Sequence, residues 1–248
     1  MVTEITKTFK IALIVPCYNE QDNIINLFNE ITQLPKNARY TLTPVFINDC
    51  STDNTKQILE ANNLIHINLP VNLGIGGAVQ TGFMYALYNA FDVAIQIDGD
   101  GQHPPTELEK LILPIINNQA DVVIGSRYIT REGFQSSFTR RIGITYFKWL
   151  NKFLTHTTIH DSTSGFRGLN KKSLELVANY YPDEYPEPEA IVLYALNNLN
   201  IVEVPVIMKE RQSGRSSINT FNSIYYMFKV TFGILFLYIR LKFNTKTS

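Results

Sequence analysis

The chain reads Val93-Ala-Ile-Gln-Ile-Asp-Gly-Asp-Gly-Gln-His-Pro-Pro105 near its middle, an apolar run that stops abruptly at two aspartates. Side chains alternate along a strand, so Asp98 and Asp100 are expected to point to the same side. Two carboxylates on one face suit a hard divalent cation such as Mg²⁺ or Mn²⁺, and Gln102 adds a third candidate oxygen ligand. A polar turn after a buried strand is the alternative interpretation.

Charge is unevenly distributed along this chain of 248 residues, although its net charge is zero. From Arg131 to Lys172 there are eight Lys/Arg against two Asp/Glu, and from Arg211 to Ser248 there are six Lys/Arg and no Asp/Glu. These basic segments predict an anionic partner, either phosphates or a lipid surface. Nucleic acid is disfavoured, because the chain has no nucleic-acid motif or dense basic stripe. The two cysteines, Cys17 and Cys50, fit a reduced, cytoplasmic protein.

Apolar runs alternate with helical patterns along most of the chain. Buried strands are predicted at 11–16, 45–49, 64–69, 93–97 and 121–125, and helices at about 22–34, after 53, after 78 and at 108–116. This alternation predicts an α/β fold with a mostly parallel sheet flanked by helices. Residues 1–220 are predicted to form that domain, and residues 221–248 an apolar helical tail.

Polar residues follow three of the predicted strands. They are Asn19 and Glu20 after the first, Asp49, Ser51 and Asp53 after the second, and Asp98 and Asp100 after the fourth. Ligands of such sheets bind outside the carboxyl ends of the strands. The three clusters therefore predict one polar crevice of the size of a nucleotide.

Seven motifs occur in an order that resembles the family 2 glycosyltransferases of the GT-A fold. Within that family the chain is most similar to the dolichyl- and polyprenyl-phosphate sugar transferases, over about residues 10–220. The motifs are Val15-Pro-Cys-Tyr-Asn-Glu20, Asn48-Asp-Cys-Ser-Thr-Asp53, Asn72-Leu-Gly-Ile-Gly-Gly-Ala78, Asp98-Gly-Asp-Gly-Gln-His-Pro104, Gly125-Ser-Arg-Tyr128, Asp161-Ser-Thr-Ser-Gly-Phe-Arg167 and Arg211-Gln-Ser-Gly-Arg-Ser216.

The resemblance implies a role for each matching position. Asp98, Asp100 and Gln102 would hold Mg²⁺ or Mn²⁺ at the donor diphosphate, Arg127 and Arg167 would neutralise phosphate charge, and Asp161 would lie in the acceptor site. Arginine suits such work because its fork matches phosphate oxygens. The nucleotide-sugar would contact Pro16, Tyr18, Glu20, Asp49, Asn72, Gly76 and Asp98, with Arg211 and Ser216 on a closing loop.

Two departures from the family pattern bear on the acceptor. Ser217 stands where the closing loop often has lysine, and Tyr185-Pro-Glu-Pro-Glu-Ala190 is an unusual acidic run. If its prolines hold the run extended, Glu187 and Glu189 project to the same side. One of them, or Asp161, would then serve as general base for a sugar hydroxyl, whereas a phosphate acceptor needs no base. An acidic loop before a helix at 190–197 is the alternative.

The leading hypothesis is an inverting, metal-dependent glycosyltransferase of the hexosyltransferase type, acting in cell-surface polysaccharide synthesis. It would move a sugar from a nucleotide-sugar, with a UDP-sugar favoured because Asp49 could accept from a base N–H, to polyprenyl phosphate. Transfer to a hydroxyl of a lipid-linked glycan is the alternative. A nucleotidyltransferase and a non-catalytic nucleotide-sugar-binding subunit are further alternatives.

The segment from Ile224 to Ile239 is apolar except for Lys229 and Thr231. A helix that is apolar all round is buried in protein or lipid. Sixteen residues would reach only about 24 Å, less than the hydrocarbon core of a bilayer. The expectation is a peripheral protein on the cytoplasmic face of a membrane, held by lipid or by a small membrane partner protein. A second basic segment, 140–154, is also expected to lie at the membrane interface. A homo-oligomer is a further possibility.

Overall fold

The computed structural model of the chain describes residues 8–134, 138–183, 185–210 and 220–244. Its strands are β1 (Phe9–Cys17), β2 (Tyr40–Asn48), β3 (His66–Asn68), β4 (Val93–Gln96), β5 (Val122–Ser126), β6 (Arg167–Asn170) and β7 (Ile201–Pro205). In the described residues they form one seven-stranded sheet in the order β3-β2-β1-β4-β6-β5-β7. Neighbouring strands are parallel except β6, which runs antiparallel to both β4 and β5.

Helices cover both faces of this sheet. They are α1 (Ile24–Thr32), α2 (Thr55–Ala61), α3 (Gly74–Tyr88), α4 (Leu108–Ile116), α5 (Phe138–Thr155), α6 (Lys171–Asn179), α7 (Pro186–Leu196) and α8 (Thr220–Asn244). A short 3-10 helix, Pro105–Glu107, precedes α4. Helices α1, α2 and α4 pack on one face, and α3, α5, α6, α7 and α8 pack on the other. The predicted α/β fold with a mostly parallel sheet is confirmed.

Strand β1 shows why a continuous apolar run forms the centre of the sheet. Ala12 and Ile14 lie in the core beneath α3, whereas Ile11, Leu13 and Val15 lie in the core beneath α1 and α4. Successive side chains alternate between faces, and both faces are covered, so each position must be apolar.

Helix α8 lies where the sequence predicted a C-terminal helix, and it extends beyond the apolar segment 224–239 at both ends. It has 25 residues, which at 1.5 Å each is about 37 Å. The prediction that its apolar segment, 224–239, does not span a bilayer agrees with the structure: in the described part of the chain, no helix is both long and apolar enough to cross a membrane. Val230, Ile234 and Leu237 bury one side of α8 in the core.

The acidic run before α7 is helical, so the prediction of an extended segment is wrong. Helix α7 begins at Pro186, and Pro188 also lies in its first turn, where a missing N–H costs nothing. Glu187 and Glu189 are two positions apart on a helix, about 200° around its axis. The two carboxylates therefore do not project to the same side.

Candidate active site

The loops that follow β1 and β2 are joined into one rim at the carboxyl edge of the sheet. Asn19 Oδ1 accepts from the backbone N–H of Thr52 at 2.8 Å and of Asp53 at 3.3 Å. The backbone N–H of Glu20 donates to Thr55 Oγ1 at 2.9 Å. Asn19 has φ 57°, a left-handed conformation that asparagine tolerates better than most residues. The structure thus brings together the first two polar clusters of the sequence.

Asp49 binds the start of α3. Its carboxylate accepts from the backbone N–H groups of Leu73 at 2.7 Å and Gly74 at 2.9 Å. Asn72 Nδ2 also donates to the Asp49 carbonyl at 3.2 Å. Burial raises the pKa of Asp49, and the two backbone hydrogen bonds partly oppose that shift. The clearest function of this carboxylate is to cap a helix, and a contact with a base or ribose stays a prediction.

His103 positions Asp98 from inside the turn after β4. The backbone N–H of Asp98 donates to His103 Nδ1 at 3.0 Å, so Nδ1 is the acceptor nitrogen of the ring. His103 Nε2 lies 3.7 Å from Asp98 Oδ2, and the buried ring stacks on Phe166 at 4.8 Å. The Asp98 side chain is itself 31% exposed. A buried histidine therefore holds an accessible carboxylate in place.

Asp100 and Gln102 complete the turn. Asp100 is buried, and its Oδ1 accepts from the backbone N–H of Gln102 at 3.0 Å. Gln102 is partly exposed, and its carbonyl accepts from the N–H of Lys209 at 3.0 Å. Across the described ranges, no three His, Cys, Asp or Glu residues are grouped to hold a metal by themselves. Two carboxylates and an amide oxygen fit a divalent ion that takes its other ligands from phosphate and water.

A glycine allows a second loop to approach Asp98. A Cβ atom on Gly165 would lie 2.8 Å from Gln96 Nε2 and 3.4 Å from Asp98 Oδ1. The Gln96 amide itself donates to Asp98 Oδ1 at 3.4 Å. A side chain at position 165 would require the Gln96 amide to shift, so glycine lets the 161–166 turn pack here without disturbing Gln96.

Arg127 and Asp161 form a buried, two-pronged ion pair beside this turn. Arg127 Nε lies 2.7 Å from Asp161 Oδ2, and the distal nitrogen donates to Oδ1 at 2.8 Å. Burial opposes the charge of Arg127, but its bonds to Asp161, with the nearby charges of Tyr128 and Asp98, hold its pKa above the usual value. Neither partner is free in this arrangement, so a general-base role for Asp161 would require the pair to open.

Glu203 of β7 contacts the start of the same turn. Its carboxylate accepts from the backbone N–H of Asp161 at 2.7 Å and of His160 at 2.8 Å, and contacts His160 Nδ1 at 2.8 Å. These contacts fix the position of Asp161 relative to Arg127. Sequence reasoning missed Glu203, since no local pattern links it to residues more than forty positions away.

Arg167 lies inside the protein and does not face the crevice. Its side chain is fully buried, and it donates to the carbonyl oxygens of Ser164 at 2.7 Å and Ser162 at 3.0 Å. The structure therefore gives Arg167 a part in shaping the 161–166 turn. A contact of this guanidinium with phosphate stays a prediction.

The other predicted nucleotide residues differ in how accessible they are. Tyr18 is half exposed, Glu20 is partly buried and accepts from Asn23 Nδ2 at 2.6 Å, and Pro16 is buried. Gly76 is buried where a Cβ atom would collide with the backbone oxygens of Pro182 and Asp183. The structure thus gives this glycine a packing role between α3 and the segment before α7. Arg211 and Ser216, like Ser217, lie outside the described residues.

Glu189 is a partly buried carboxyl group on α7. It packs against α8 at Gly233. Burial, and then the negative charge of Asp183, raise its pKa from 4.5 to about 7, and Lys229 opposes the shift. Folding therefore favours the protonated form, and the stability from this group is lost as the pH rises from about 4.5 through 7.

We expect the variant Glu189→Gln to unfold at a higher temperature than the parent at pH 8 and at nearly the same temperature at pH 4.5. Glutamine keeps the shape of the protonated acid and never ionises. Thermal unfolding followed by circular dichroism across this pH range measures the difference. The exposed Glu60→Gln is the matched control, and a pH-independent difference for Glu189→Gln would contradict the prediction.

A basic pocket of about 650 Å³ opens next to the ion pair. Its described lining is Tyr128, Arg131, Arg141, Ile144, Thr145, Lys148, Trp149, Lys152 and His160. That lining holds four cationic side chains and no carboxylate. Tyr128 and His160 directly follow and precede Arg127 and Asp161 in the chain, so the pocket adjoins the site. The basic segment of the sequence predicted an anionic partner, but not this cavity.

Comparisons with known proteins agree on one family. The model of the family described as glycosyl transferase family 2 matches residues 12–177. The UDP-N-acetylglucosamine--dolichyl-phosphate N-acetylglucosaminyltransferase of Methanococcus voltae is 31% identical over 216 residues, covering 79% of this chain and 84% of the relative. The polyprenol monophosphomannose synthase of Mycolicibacterium smegmatis is 29% identical, covering 90% of this chain and 86% of the relative.

A solved structure shares the fold at low identity. Glucosyl-3-phosphoglycerate synthase from Mycobacterium tuberculosis, in complex with Mn²⁺, uridine diphosphate and phosphoglyceric acid, superposes with a TM-score of 0.68. The identity is 16%, and the match covers 94% of this chain and 78% of that protein. At this identity the likeness supports the architecture alone.

Proposed function

We propose that this chain, which belongs to glycosyl transferase family 2, moves a sugar from a nucleotide-sugar donor to a polyprenyl phosphate acceptor at a membrane surface. Its family makes it a glycosyltransferase of the hexosyltransferase type. A UDP-sugar is the favoured donor, because one relative is named for UDP-N-acetylglucosamine. Synthesis of cell-surface polysaccharide is the favoured setting.

The observation that carries this proposal is the basic pocket beside the Arg127–Asp161 pair. A monophosphate is small and anionic, and Arg131, Arg141 and Lys148 line the pocket together with other basic residues. A phosphate acceptor is already ionised, so it can attack without giving a proton to the enzyme. The relatives named for dolichyl phosphate and polyprenol phosphate point to the same acceptor.

The acidic turn is proposed to serve the donor. Asp98, Asp100 and Gln102 would hold Mg²⁺ or Mn²⁺, which when bound neutralises the negative charge that grows on the departing nucleoside diphosphate. His103 keeps Asp98 in a fixed orientation, and the glycine at 165 leaves its carboxylate room. Arg127, held in place by Asp161, adds positive charge next to the same turn.

The proposed reaction is inverting. An acceptor phosphate oxygen attacks the anomeric carbon from the side opposite the diphosphate, a new carbon–oxygen bond forms, and the bond to the diphosphate oxygen breaks. The nucleoside diphosphate leaves with the electron pair of that bond. The proton balance is even, because the attacking oxygen is ionised at the start.

Purified protein with radiolabelled nucleotide sugars, a polyprenyl phosphate and Mg²⁺ or Mn²⁺ tests the proposal directly. We expect label to enter the lipid extract only when the acceptor is present, and to be strongest with a UDP-sugar. Absence of labelled lipid with UDP-, GDP- and dTDP-sugars would refute it. Proton nuclear magnetic resonance of the product would show whether the configuration at the anomeric carbon is inverted.

Transfer to a hydroxyl of a lipid-linked glycan is a second candidate function. The observation that favours it is Glu189, because a carboxyl group with a pKa of about 7 can act as general base near neutral pH. Under this alternative, Glu187→Gln, Glu189→Gln or Asp161→Asn lowers the rate roughly 10²–10⁴-fold. With a phosphate acceptor, Glu187→Gln and Glu189→Gln should each lower the transfer rate only slightly.

A stripe of exposed aromatic residues supports a peripheral position on the membrane. Large apolar side chains recur every three or four positions along α8 and so share one face of the helix. They are Tyr225, Phe228, Phe232, Phe236, Ile239 and Phe243, each about half exposed or more. Arg240 and Lys242 lie beside the stripe, where they would meet anionic lipid on the cytoplasmic face.

We expect the triple variant Phe228→Gln, Phe232→Gln and Phe236→Gln to lose most of its binding to vesicles of phosphatidylcholine and phosphatidylglycerol. Flotation of the full chain with vesicles measures this loss. Tyr88→Gln, which removes an exposed aromatic at the end of α3, is the matched control and should float like the parent. Equal flotation of all three proteins would count against the stripe, and failure of the parent to float would favour attachment through a small membrane partner protein.

A further inference from the structure

A second cavity, of about 570 Å³, adjoins the basic pocket on helix α5. Its described lining is Arg141, Ile142, Thr145, Tyr146 and Trp149. Arg141, Thr145 and Trp149 line both cavities, so the two lie side by side on one helix and share part of their wall. This second cavity is called the α5 groove below.

The α5 groove is apolar, whereas the basic pocket is charged. Ile142 is 54% exposed and Trp149 is 61% exposed, an unusual degree for residues of their type. Trp149 also stacks on the exposed Phe153 at 5.6 Å, which extends the apolar surface toward the end of the helix. The groove therefore offers hydrocarbon contacts next to a site for an anion.

The two hydroxyl groups of the groove, on Thr145 and Tyr146, already have partners within the protein. Tyr146 OH lies 3.0 Å from Thr231 Oγ1 of α8, and Thr145 Oγ1 donates to the Arg141 carbonyl at 2.9 Å. These bonds leave the aromatic ring of Tyr146 as part of the lining. The exposed surface between Ile142 and Trp149 is therefore mainly apolar and suits a hydrocarbon chain.

We propose that the α5 groove binds the first isoprene units of the lipid acceptor while its phosphate occupies the basic pocket. This inference rests on the proposed function and goes beyond it, because it assigns a separate site to the hydrocarbon chain. A charged head and an apolar tail on one ligand match a charged cavity and an apolar cavity that share a wall. Selectivity for polyprenyl over other phosphates would then arise at α5, apart from the donor site.

Calorimetry with soluble phosphates tests the groove without turnover. Methyl phosphate, isopentenyl phosphate and farnesyl phosphate carry the same head group on chains of increasing length. Burial of each added isoprene unit is expected to tighten binding by roughly tenfold until the groove is filled. Binding that is independent of chain length would overturn the proposal.

Two matched glutamine variants separate the cavities. Ile142 lines only the groove and Lys148 only the basic pocket. Ile142→Gln should weaken the binding of farnesyl phosphate by about tenfold or more and leave the binding of methyl phosphate unchanged. Lys148→Gln should weaken the binding of both ligands by a similar factor. Tyr88→Gln controls for non-specific adsorption. If Ile142→Gln weakens both ligands equally, or neither, the groove is not the chain site.

Different results would reject the groove proposal and the proposed function. If sugar is transferred to isopentenyl and farnesyl phosphate with the same KM, the function stands and the groove is rejected. If farnesyl phosphate binds tightly through Ile142 but accepts no sugar, the groove stands and the acceptor assignment is rejected. If farnesyl phosphate neither binds nor reacts, both are rejected.

Discussion

Replacing Asp98 with asparagine is expected to lower kcat for sugar transfer by roughly 10²–10³-fold. The change removes one of the two carboxylates of the acidic turn but keeps its size and its hydrogen bond from Gln96. Removing a negative charge weakens the proposed hold on the divalent ion, so raising the Mn²⁺ concentration should restore part of the activity. Steady-state assays over a Mn²⁺ titration measure both effects.

Asp22→Asn is the matched control for this experiment, because Asp22 is an exposed aspartate outside the acidic turn. It should leave kcat and the Mn²⁺ dependence unchanged. Asp100→Ala should be at least as damaging as Asp98→Asn. Full activity of the parent protein in excess chelator would show that no divalent ion is required.

Replacing Asp161 with asparagine should lower both stability and activity. Asparagine has nearly the shape of aspartate, but it leaves the guanidinium of Arg127 buried without a counter-charge. Breaking a buried ion pair in this way costs about 3–5 kcal/mol in the free energy of unfolding. Because Arg127 would also lose its fixed orientation, we expect sugar transfer to fall by at least roughly 10²-fold. Urea denaturation and steady-state kinetics measure the two losses.

A double-mutant cycle identifies the pair as the cause. The variant Arg127→Met with Asp161→Asn removes the buried charge together with its partner, so it should be less destabilised than the sum of the two single variants. It should regain stability without regaining activity. Strictly additive losses in the free energy of unfolding would mean that the ion pair contributes no coupling.

Local patterns were sufficient for the half of the sheet around β1. The apolar runs at β1, β2 and β4 predict buried strands, and their polar ends predict a shared crevice at one edge. Each of these signals lies within a few residues, where side-chain alternation determines which face is buried. The acidic turn at Asp98 was found for the same reason.

Features that depend on distant partners were not predictable from the sequence. Strand β6 begins with Arg167, an unusual residue for a central strand. The Arg167 side chain can be buried because it donates hydrogen bonds to carbonyl oxygens of the turn that precedes it. Glu203 acquires its role only when β7 pairs beside β5. The helical start of α7 had a local signal in Pro186, because proline is favoured in the first turn of a helix. The prediction of an extended segment did not take that signal into account.

The antiparallel strand β6 also determines the order in which the sheet can assemble. Within the described sheet, β5 and β7 reach β4 only through β6, which hydrogen-bonds to both β4 and β5. The strands β3, β2, β1 and β4 are complete once residue 96 has been synthesised, but β5 must wait for residues 167–170. Such long-range pairing slows folding, because the entropy of closing a long loop is lost before any stabilising contact forms. A nascent chain that ends before residue 170 therefore exposes an unpaired edge on β4.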